Sequence, residues 1–279
     1  MPKLFTLPRQ LLVFLCSAPL LFLPGSLVGQ IAPIVASDPN AVKLANQALQ
    51  SMAGVTALAD ITIQANAYYV AGSDEETGAA TLIARGNAES IVTLNLSGGQ
   101  RKAIRNGVAG VSMAADGTTA AMATHNCFID ADWFFPALSL AALANDPTQI
   151  AVLAGQQVYA GQQVYHLIIL HNLSSTQSPD IVALVDRVSA ADLYLDAATL
   201  RPVALAFNIH PDNDANTSIP AEIRFGSYQQ INGVWAPTRI QKFLQGTLLL
   251  DMTVIDVAVN SGVPASAFAL PIASVGGAQ

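Results

Sequence analysis

The strongest constraint on the fold of this chain is a hairpin signal near its C-terminal end. Asn232 and Gly233 lie between two runs in which apolar and polar residues alternate. A tight type I′ turn needs positive φ at both central residues, and Asn followed by Gly accepts that conformation best. A turn fixed at this point places Ile231 opposite Val234. The pattern therefore predicts two long antiparallel strands in this part of the chain.

The same region predicts a third strand and a bend in the sheet. A second turn at Gln245 and Gly246 leads into residues 247–259, which are rich in strand-forming side chains. At Val254 and Ile255 the alternation of apolar residues slips by one position. We therefore expect a β-bulge or a corner there, because an extra residue in one strand curves a sheet.

A helix is predicted near residue 38, ahead of the strands. Ser37 or Asp38 can cap its first turn, Pro39 fits the first helical position, and Gly54 supplies a left-handed stop. Apolar residues at helical spacing predict its buried stripe: Val42, Ala45, Leu49 and Met52.

The middle of the chain predicts an antiparallel meander. Between residues 59 and 123 turn signals recur at a spacing of about eight to twelve residues, which is typical of such a sheet. Residues 154–159 and 160–165 have identical sequences, which predicts two strands that flank a turn at Ala160 and Gly161. A short helix capped near Ser178 should follow and bury one stripe: Ile181, Leu184, Val185 and Val188.

Residues 133–143 form the most apolar stretch of this middle region. The stretch is rich in Ala and Leu and follows Asp132, so it predicts a helix that is apolar on nearly all sides. Such a helix either belongs to the core or covers an apolar opening. Both interpretations stay open at the level of the sequence.

The C-terminal motifs resemble those of the periplasmic LolA/LolB-type lipoprotein-carrier superfamily. The similarity lies in the Tyr-x-x-Ile-Asn-Gly-Val-Trp-x-Pro run of residues 228–237, the Val-x-Val-Asn of residues 257–260 and the closing Phe-x-x-Pro of residues 268–271. Residues 193–207 match the same family as a strand, an Asp-initiated turn and a Pro-led strand. These motifs cover about the C-terminal third of the chain and mark turns, not chemistry.

This resemblance implies a fold and a class of ligand. The fold is α+β and mainly antiparallel β, a curved half-barrel sheet with an N-terminal helix and a central apolar helix against its concave face. The implied function is non-enzymatic binding or carriage of a lipid, an acyl chain or a lipoprotein in an apolar cavity, with no cofactor. The candidate cavity or lid residues are Trp133, Phe134, Phe135, Leu138, Tyr228 and Trp235. The alternatives are an envelope protein-interaction or sensor module on the same scaffold and, more weakly, an exported hydrolase.

The first 29 residues have the pattern of a secretory signal peptide. Lys3 and Arg9 precede an apolar run at residues 11–23, which Pro24 and Gly25 end. Thirteen residues are too few for a bilayer span, which needs about 20. We therefore expect a leader at residues 1–29, one half-barrel domain at residues 30–279, no stable transmembrane span, and export to the periplasm.

Charge and cysteine content exclude two further classes. Removal of the leader would move the formal charge from −7 to −9, with 10 basic residues against 19 acidic ones. An acidic chain with scattered Lys and Arg has no footprint for nucleic acid. The leader contains Cys16, so Cys127 would be alone in the mature chain and is expected to be a buried small hydrophobe.

A search for catalytic or metal-binding patterns predicts neither. Ser112 lacks the second Gly of a nucleophile elbow and lies among predicted strands. His166 and His171 are five residues apart on one strand and face opposite sides. Residues 212–217 resemble the start of a calcium loop, but the sixth-position Gly and the twelfth-position Glu are missing.

Overall fold

The computed structural model describes residues 36–143, 146–173 and 177–271. The signal-peptide prediction at residues 1–29 lies outside them. The described helices are α1 (Pro39–Ala53), α2 (Ala137–Ala142) and α3 (Pro179–Ser189). The described strands are β1 (Asp60–Ala71), β2 (Asp74–Arg85), β3 (Glu89–Leu96), β4 (Gly99–Asn106), β5 (Ala109–Met113), β6 (Thr119–Ala121), β7 (Gln149–Tyr159), β8 (Gln162–His171), β9 (Ala191–Asp196), β10 (Pro202–Ile209), β11 (Ile219–Ile231), β12 (Val234–Leu244) and β13 (Thr247–Val259).

All thirteen described strands belong to one antiparallel sheet. The strand order is β6-β5-β4-β3-β2-β1-β13-β12-β11-β10-β9-β8-β7. The sheet therefore consists of two meanders, β1–β6 and β7–β13, which meet where β1 pairs with β13. The outer strands β6 and β7 do not pair with each other, so the sheet stays an open, curved half-barrel, as predicted.

The predicted hairpin and bulge are both confirmed. Asn232 and Gly233 have φ values of 48° and 87°, and Ile231 pairs with Val234. Between β1 and β13 the register changes, since Gln64 pairs with Asp256 but Ala65 with Val254. The extra residue, Ile255, points outward and is 62% exposed. The duplicated segment also forms the expected hairpin, β7–β8.

Helix α1 has the predicted ends but a different buried stripe. The Asp38 carboxylate accepts a hydrogen bond from Asn40 N at 2.8 Å, and Gly54 ends the helix at φ 60°. The buried side chains are Ala41, Leu44, Ala45, Ala48, Met52 and Ala53, with the predicted Val42 and Leu49 half-buried. Ala45 and Met52 are therefore buried as predicted, and the four buried alanines let the helix lie close to α2, β7 and β12.

The other two helices also differ from the pattern-based prediction. The predicted helix 133–143 begins only at Ala137, because the residue before a proline is disfavoured in helical conformation and Pro136 follows Phe135. In α3 the buried stripe is Val182, Val185, Val188 and Ser189. The predicted Ile181 and Leu184 are instead 44% and 38% exposed.

We predict that Gly78→Ala destabilises the protein by about 1–3 kcal/mol, measured by urea unfolding. Gly78 lies within β2, and a Cβ there would overlap the Asn95 carbonyl and lie 2.9 Å from Leu96 Cα on β3. Gly226→Ala in β11 is the matched control, because its Cβ would meet nothing closer than Arg239 Cβ at 3.9 Å. Equal effects of the two substitutions would contradict the close approach of β2 and β3.

Candidate functional site

The inward face of the curved sheet is a continuous apolar surface. Residues from both meanders contribute to it and pack with the helices in one buried cluster. Its fully buried members include Ile61, Ile63, Leu82, Leu167, Leu193, Ile223, Ile240 and Met252. Small side chains such as Ala80 and Ala236 lie between them and let the covering elements approach closely.

Residues 124–143, which we name the crossing segment, connect the two meanders across this face. In the first meander, Asn87 O, in the β2–β3 turn, accepts a hydrogen bond from Ala131 N at 2.6 Å. In the second, Asn126 Nδ2 donates to His210 O at 2.7 Å, and His210 N donates to Asn126 Oδ1 at 2.8 Å. The segment is therefore held by hydrogen bonds to both halves of the sheet.

Arg105 on β4 adds a third attachment for the crossing segment. Its Nη2 donates to Cys127 O at 2.5 Å and to Ile129 O at 2.8 Å. Burial lowers the pKa of Arg105, which shows how far the guanidinium is withdrawn from water. Cys127 is 4% exposed and unpaired, which confirms the sequence-based prediction, and burial raises the pKa of its thiol.

Three of the predicted cavity residues lie together on the crossing segment and are buried in the core. Phe134 and Phe135 are 0% exposed and Leu138 is 1% exposed, all within the main core. Between α2 and the sheet, beside Ser139 and Leu205, lies a cavity of about 20 Å³, which has room for one water molecule. The inward face is therefore filled by the protein's own side chains in this conformation.

Trp133 lies at the edge of this cover, where it meets a lysine of the sheet. Lys242 Nζ is 4.7 Å from the centre of the Trp133 ring, an arrangement that favours the cation. Trp133 also packs edge-on against Phe134, with ring centres 5.4 Å apart. Burial lowers the pKa of Lys242 to about 8.

The remaining two predicted residues do not join this group. The strand register places Trp235 on the sheet face opposite Val234 and Ala236, which belong to the core. Arg201 Cζ lies 3.7 Å from the Trp235 ring centre. Tyr228 is half-buried and packs against the main core, and its hydroxyl donates to Pro202 O at 2.8 Å. The structure thus keeps Tyr228 at the margin of the core and places Trp235 outside it.

A buried polar cluster, not predicted from the sequence, anchors the start of α2. Asp132 is 0% exposed, and its carboxylate accepts hydrogen bonds from Ser139 N at 2.8 Å and Ser139 Oγ at 2.5 Å. Asp130 accepts from Gln149 Nε2 at 2.6 Å and pairs with His171 Nε2 at 2.8 Å. An Asp-x-Asp pair just before an apolar run is the only sequence signal that pointed to this cluster.

Two groups in this cluster have shifted pKa values. Complete burial, with a smaller contribution from Asp130, raises the pKa of Asp132 to about 8. Burial disfavours the charged form of His171, but its hydrogen bond and its attraction to Asp130, with help from Asp146, outweigh that effect and raise its pKa. The carboxyl group of Asp132, which lies next to that of Asp130, therefore stays partly protonated near pH 7.

The residues considered for catalysis are held apart in separate contacts. Ser112 Oγ donates to Ala120 O at 3.5 Å, whereas His125 contacts Pro211 O and His166 contacts Asp192. In the described part of the chain, no three His, Cys, Asp or Glu residues are grouped as metal ligands would be. Within the same ranges, the longest apolar helix falls short of what a bilayer span requires.

We predict that Asp132→Asn makes the protein more stable at pH 8 by about 2 kcal/mol or more. The folded-state pKa is raised to about 8 from 3.8, so the unfolded state releases this proton first. This group therefore lowers stability progressively as pH rises from about 4 to 8. An asparagine can accept from Ser139 N and donate to Ser139 Oγ, which reproduces the protonated acid. Urea unfolding at pH 4, 6 and 8 measures the difference, which should vanish near pH 4.

Asp116→Asn is the control for that measurement. Asp116 is in an exposed turn, and hydrogen bonds from Thr118 lower its pKa. Its substitution should bring no gain at pH 8. A loss of stability in Asp132→Asn that is larger at pH 8 than at pH 4 would contradict the assignment.

Comparison with known proteins identifies the fold. No protein-family model and no curated protein matches the sequence. Among solved structures, a domain assigned to outer membrane lipoprotein-sorting proteins from Vibrio parahaemolyticus is similar at a TM-score of 0.51 and 11% identity, over 82% of this chain and 96% of that one. A LolA superfamily protein from Nitrosomonas europaea is similar at a TM-score of 0.51 and 14% identity, over 82% and 97%. The chain therefore has a LolA-like fold.

Proposed function

We propose that this protein is an exported, non-enzymatic carrier that shelters an acyl chain of a lipid or lipoprotein. The chain would lie between the inward face of the sheet and the crossing segment. The observation that carries the proposal is the apolar inward face, which spans both meanders and which, among the described elements, α1 and the crossing segment cover. The LolA-like fold supports it, since one similar structure is assigned to lipoprotein sorting.

Binding requires the crossing segment to move away from the sheet. Phe134, Phe135 and Leu138 occupy the space that the ligand would take, so an incoming chain must replace their contacts. The net free energy of this exchange is small, because the apolar area that these side chains expose on moving out is replaced by apolar area that the ligand buries. Each Å² of buried apolar area contributes about 25 cal/mol. In such a carrier, the arrangement with these side chains packed on the sheet would be the closed form.

The covering helix is suited to this movement. α2 has 6 residues and no side-chain cap at its N-terminus. Isolated helices shorter than about 12–15 residues are marginal in water, so α2 depends on burial and on the Asp132–Ser139 hydrogen bonds for its stability. The raised pKa of Asp132 weakens that attachment at neutral pH.

Export belongs to the same proposal. Residues 1–29 have the charged start and short apolar run of a leader, and a periplasmic carrier needs one. A partner that delivers or receives the lipid would meet the protein in the envelope.

The wild-type protein should carry lipid detectable by mass spectrometry after purification and should take up a fluorescent fatty acid. Leu138→Ala should destabilise it by about 2–5 kcal/mol and tighten fatty-acid binding several-fold, because an apolar void under the crossing segment accepts apolar groups. The readouts are urea unfolding and fluorescence titration.

The matched control is Ile255→Ala, an apolar truncation on the outer surface, where the side chain is 62% exposed. It should leave fatty-acid binding unchanged. Absence of co-purified lipid together with absence of fatty-acid uptake by the wild-type protein would overturn the carrier function.

A second candidate, an envelope protein-interaction module, is favoured by one observation. Ile181 and Leu184 lie one turn apart on α3 and are exposed, so they present a small apolar strip to solvent. A cross-linked envelope protein that is lost in the Ile181→Ser, Leu184→Ser double variant, with no lipid bound, would favour this function over carriage.

A further inference from the structure

Lys242 occupies a position at which the fold places apolar side chains. It lies on β12 opposite Ile223 of β11 and Leu250 of β13, which are 0% and 4% exposed. Ile240, two residues earlier on the same face, is 0% exposed. Alternation along the strand therefore directs the Lys242 side chain to the inward face.

The ammonium group of Lys242 has no counter-charge within the described residues. It lies over the Trp133 ring, and no carboxylate of the described residues forms a salt bridge with it. Its pKa is lowered by burial alone, with no contribution from a neighbouring charge. Of the acidic side chains on the adjacent strands, Glu222 and Asp251 pair with arginines on the outer face, and Asp256 is exposed near the other end of β13.

This arrangement is unfavourable for the folded protein. Lys242 is half-buried, and partial withdrawal of a cation from water without an anion raises the free energy of the folded state, which the Trp133 ring offsets only in part. A leucine or methionine would pack against Ile223 and Leu250 with no such penalty. A stability role thus does not account for a lysine at this place.

Lys242 also lies where a ligand could enter. It is three residues before the Gln245–Gly246 turn, so it is at the rim of the half-barrel, whereas Ile240 lies deeper along the strand. Trp133, whose ring lies over the Lys242 ammonium, belongs to the crossing segment that must move for a chain to bind. Movement of that segment would expose the cation at the mouth of the apolar face.

We propose that Lys242, whose ammonium the Trp133 ring covers in this conformation, is a recognition site for the anionic headgroup, a carboxylate or a phosphate, of a ligand whose acyl chain lies along the inward face. This proposal rests on the carrier function and specifies its ligand as an anionic lipid. The headgroup would replace the Trp133 ring as the partner of the ammonium, so loading the ligand and opening the cover are coupled. A charge-assisted hydrogen bond at a desolvated site is among the stronger polar contacts in proteins.

The test compares anionic and neutral ligands that share one acyl chain. Palmitate is set against hexadecanol, and palmitoyl lysophosphatidic acid against monopalmitoylglycerol, each by displacement of a neutral fluorescent lipid. Lys242→Met should weaken binding of palmitate, of the lysophosphatidic acid, or of both by about tenfold or more, because hydrogen bonds to charged groups contribute about 1.5–3 kcal/mol. Binding of the neutral ligands should stay within about twofold. The anionic ligand that is affected identifies the headgroup as carboxylate or phosphate.

Two variants and one stability measurement complete the design. Lys242→Arg keeps the charge and should retain the preference for anionic ligands, while Lys102→Met on β4 should change no affinity. Urea unfolding should show Lys242→Met to be at least as stable as the wild type. A purely structural lysine would give a destabilised variant instead.

Three outcomes overturn the proposal, and they are distinguishable. If the wild type binds anionic and neutral ligands with equal affinity, Lys242 is not a recognition site, but the carrier function still stands. If Lys242→Met weakens the binding of all four ligands equally, the lysine contributes to packing and not to headgroup recognition. Failure of the wild type to bind any of the four overturns the carrier function as well.

Discussion

The structure depends on covering one apolar sheet face without closing the sheet into a barrel. Thirteen strands share a continuous hydrogen-bonded ladder, and the β1–β13 pairing joins the two meanders into one curved surface. Inward-facing residues such as Ile63, Leu82 and Ile240 would be in contact with water if nothing lay over them. Among the described elements, α1 and the crossing segment provide that cover, so the stability of the whole fold is tied to where these two elements lie.

The crossing segment is attached by polar contacts at its beginning and by apolar contacts at its end. Asn126 and Ala131 bind the backbone of the two meanders, whereas Phe135 and Leu138 fill the space above the sheet. Asp132 joins the two parts through Ser139. Such a segment can release its apolar part while its polar attachments persist.

The two unfavourable groups near the crossing segment, the buried acid Asp132 and the desolvated Lys242, both reduce the stability of the closed form. Local rules of stability are most often broken at sites of function, which is why these groups support a functional interpretation.

The sequence predicted those features that depend on a few adjacent residues. The Asn232–Gly233 turn, the bulge at Ile255 and the ends of α1 follow from local backbone preferences, and all three are present. The stripes of α1 and α3 were predicted in part, because helical spacing alone does not fix which side of a helix packs: Ala45, Met52, Val185 and Val188 are buried as predicted. The site required tertiary information. Trp133 was predicted as part of the cover, but its partner Lys242 is more than one hundred residues away in the chain and has the sequence pattern of an ordinary strand lysine. The Asp130–His171 contact is likewise formed by residues from distant strands and loops.

The most direct test of the account is the place at which an acyl chain touches the protein. A fatty acid with a diazirine near its methyl end can be cross-linked to the purified protein by light, and the labelled peptides identified by mass spectrometry. The account predicts labels on inward-facing residues of β11 to β13 and on residues 131–143. Labels confined to the outer face of the sheet or to α3, or no labels above those of an unfolded control, would contradict it.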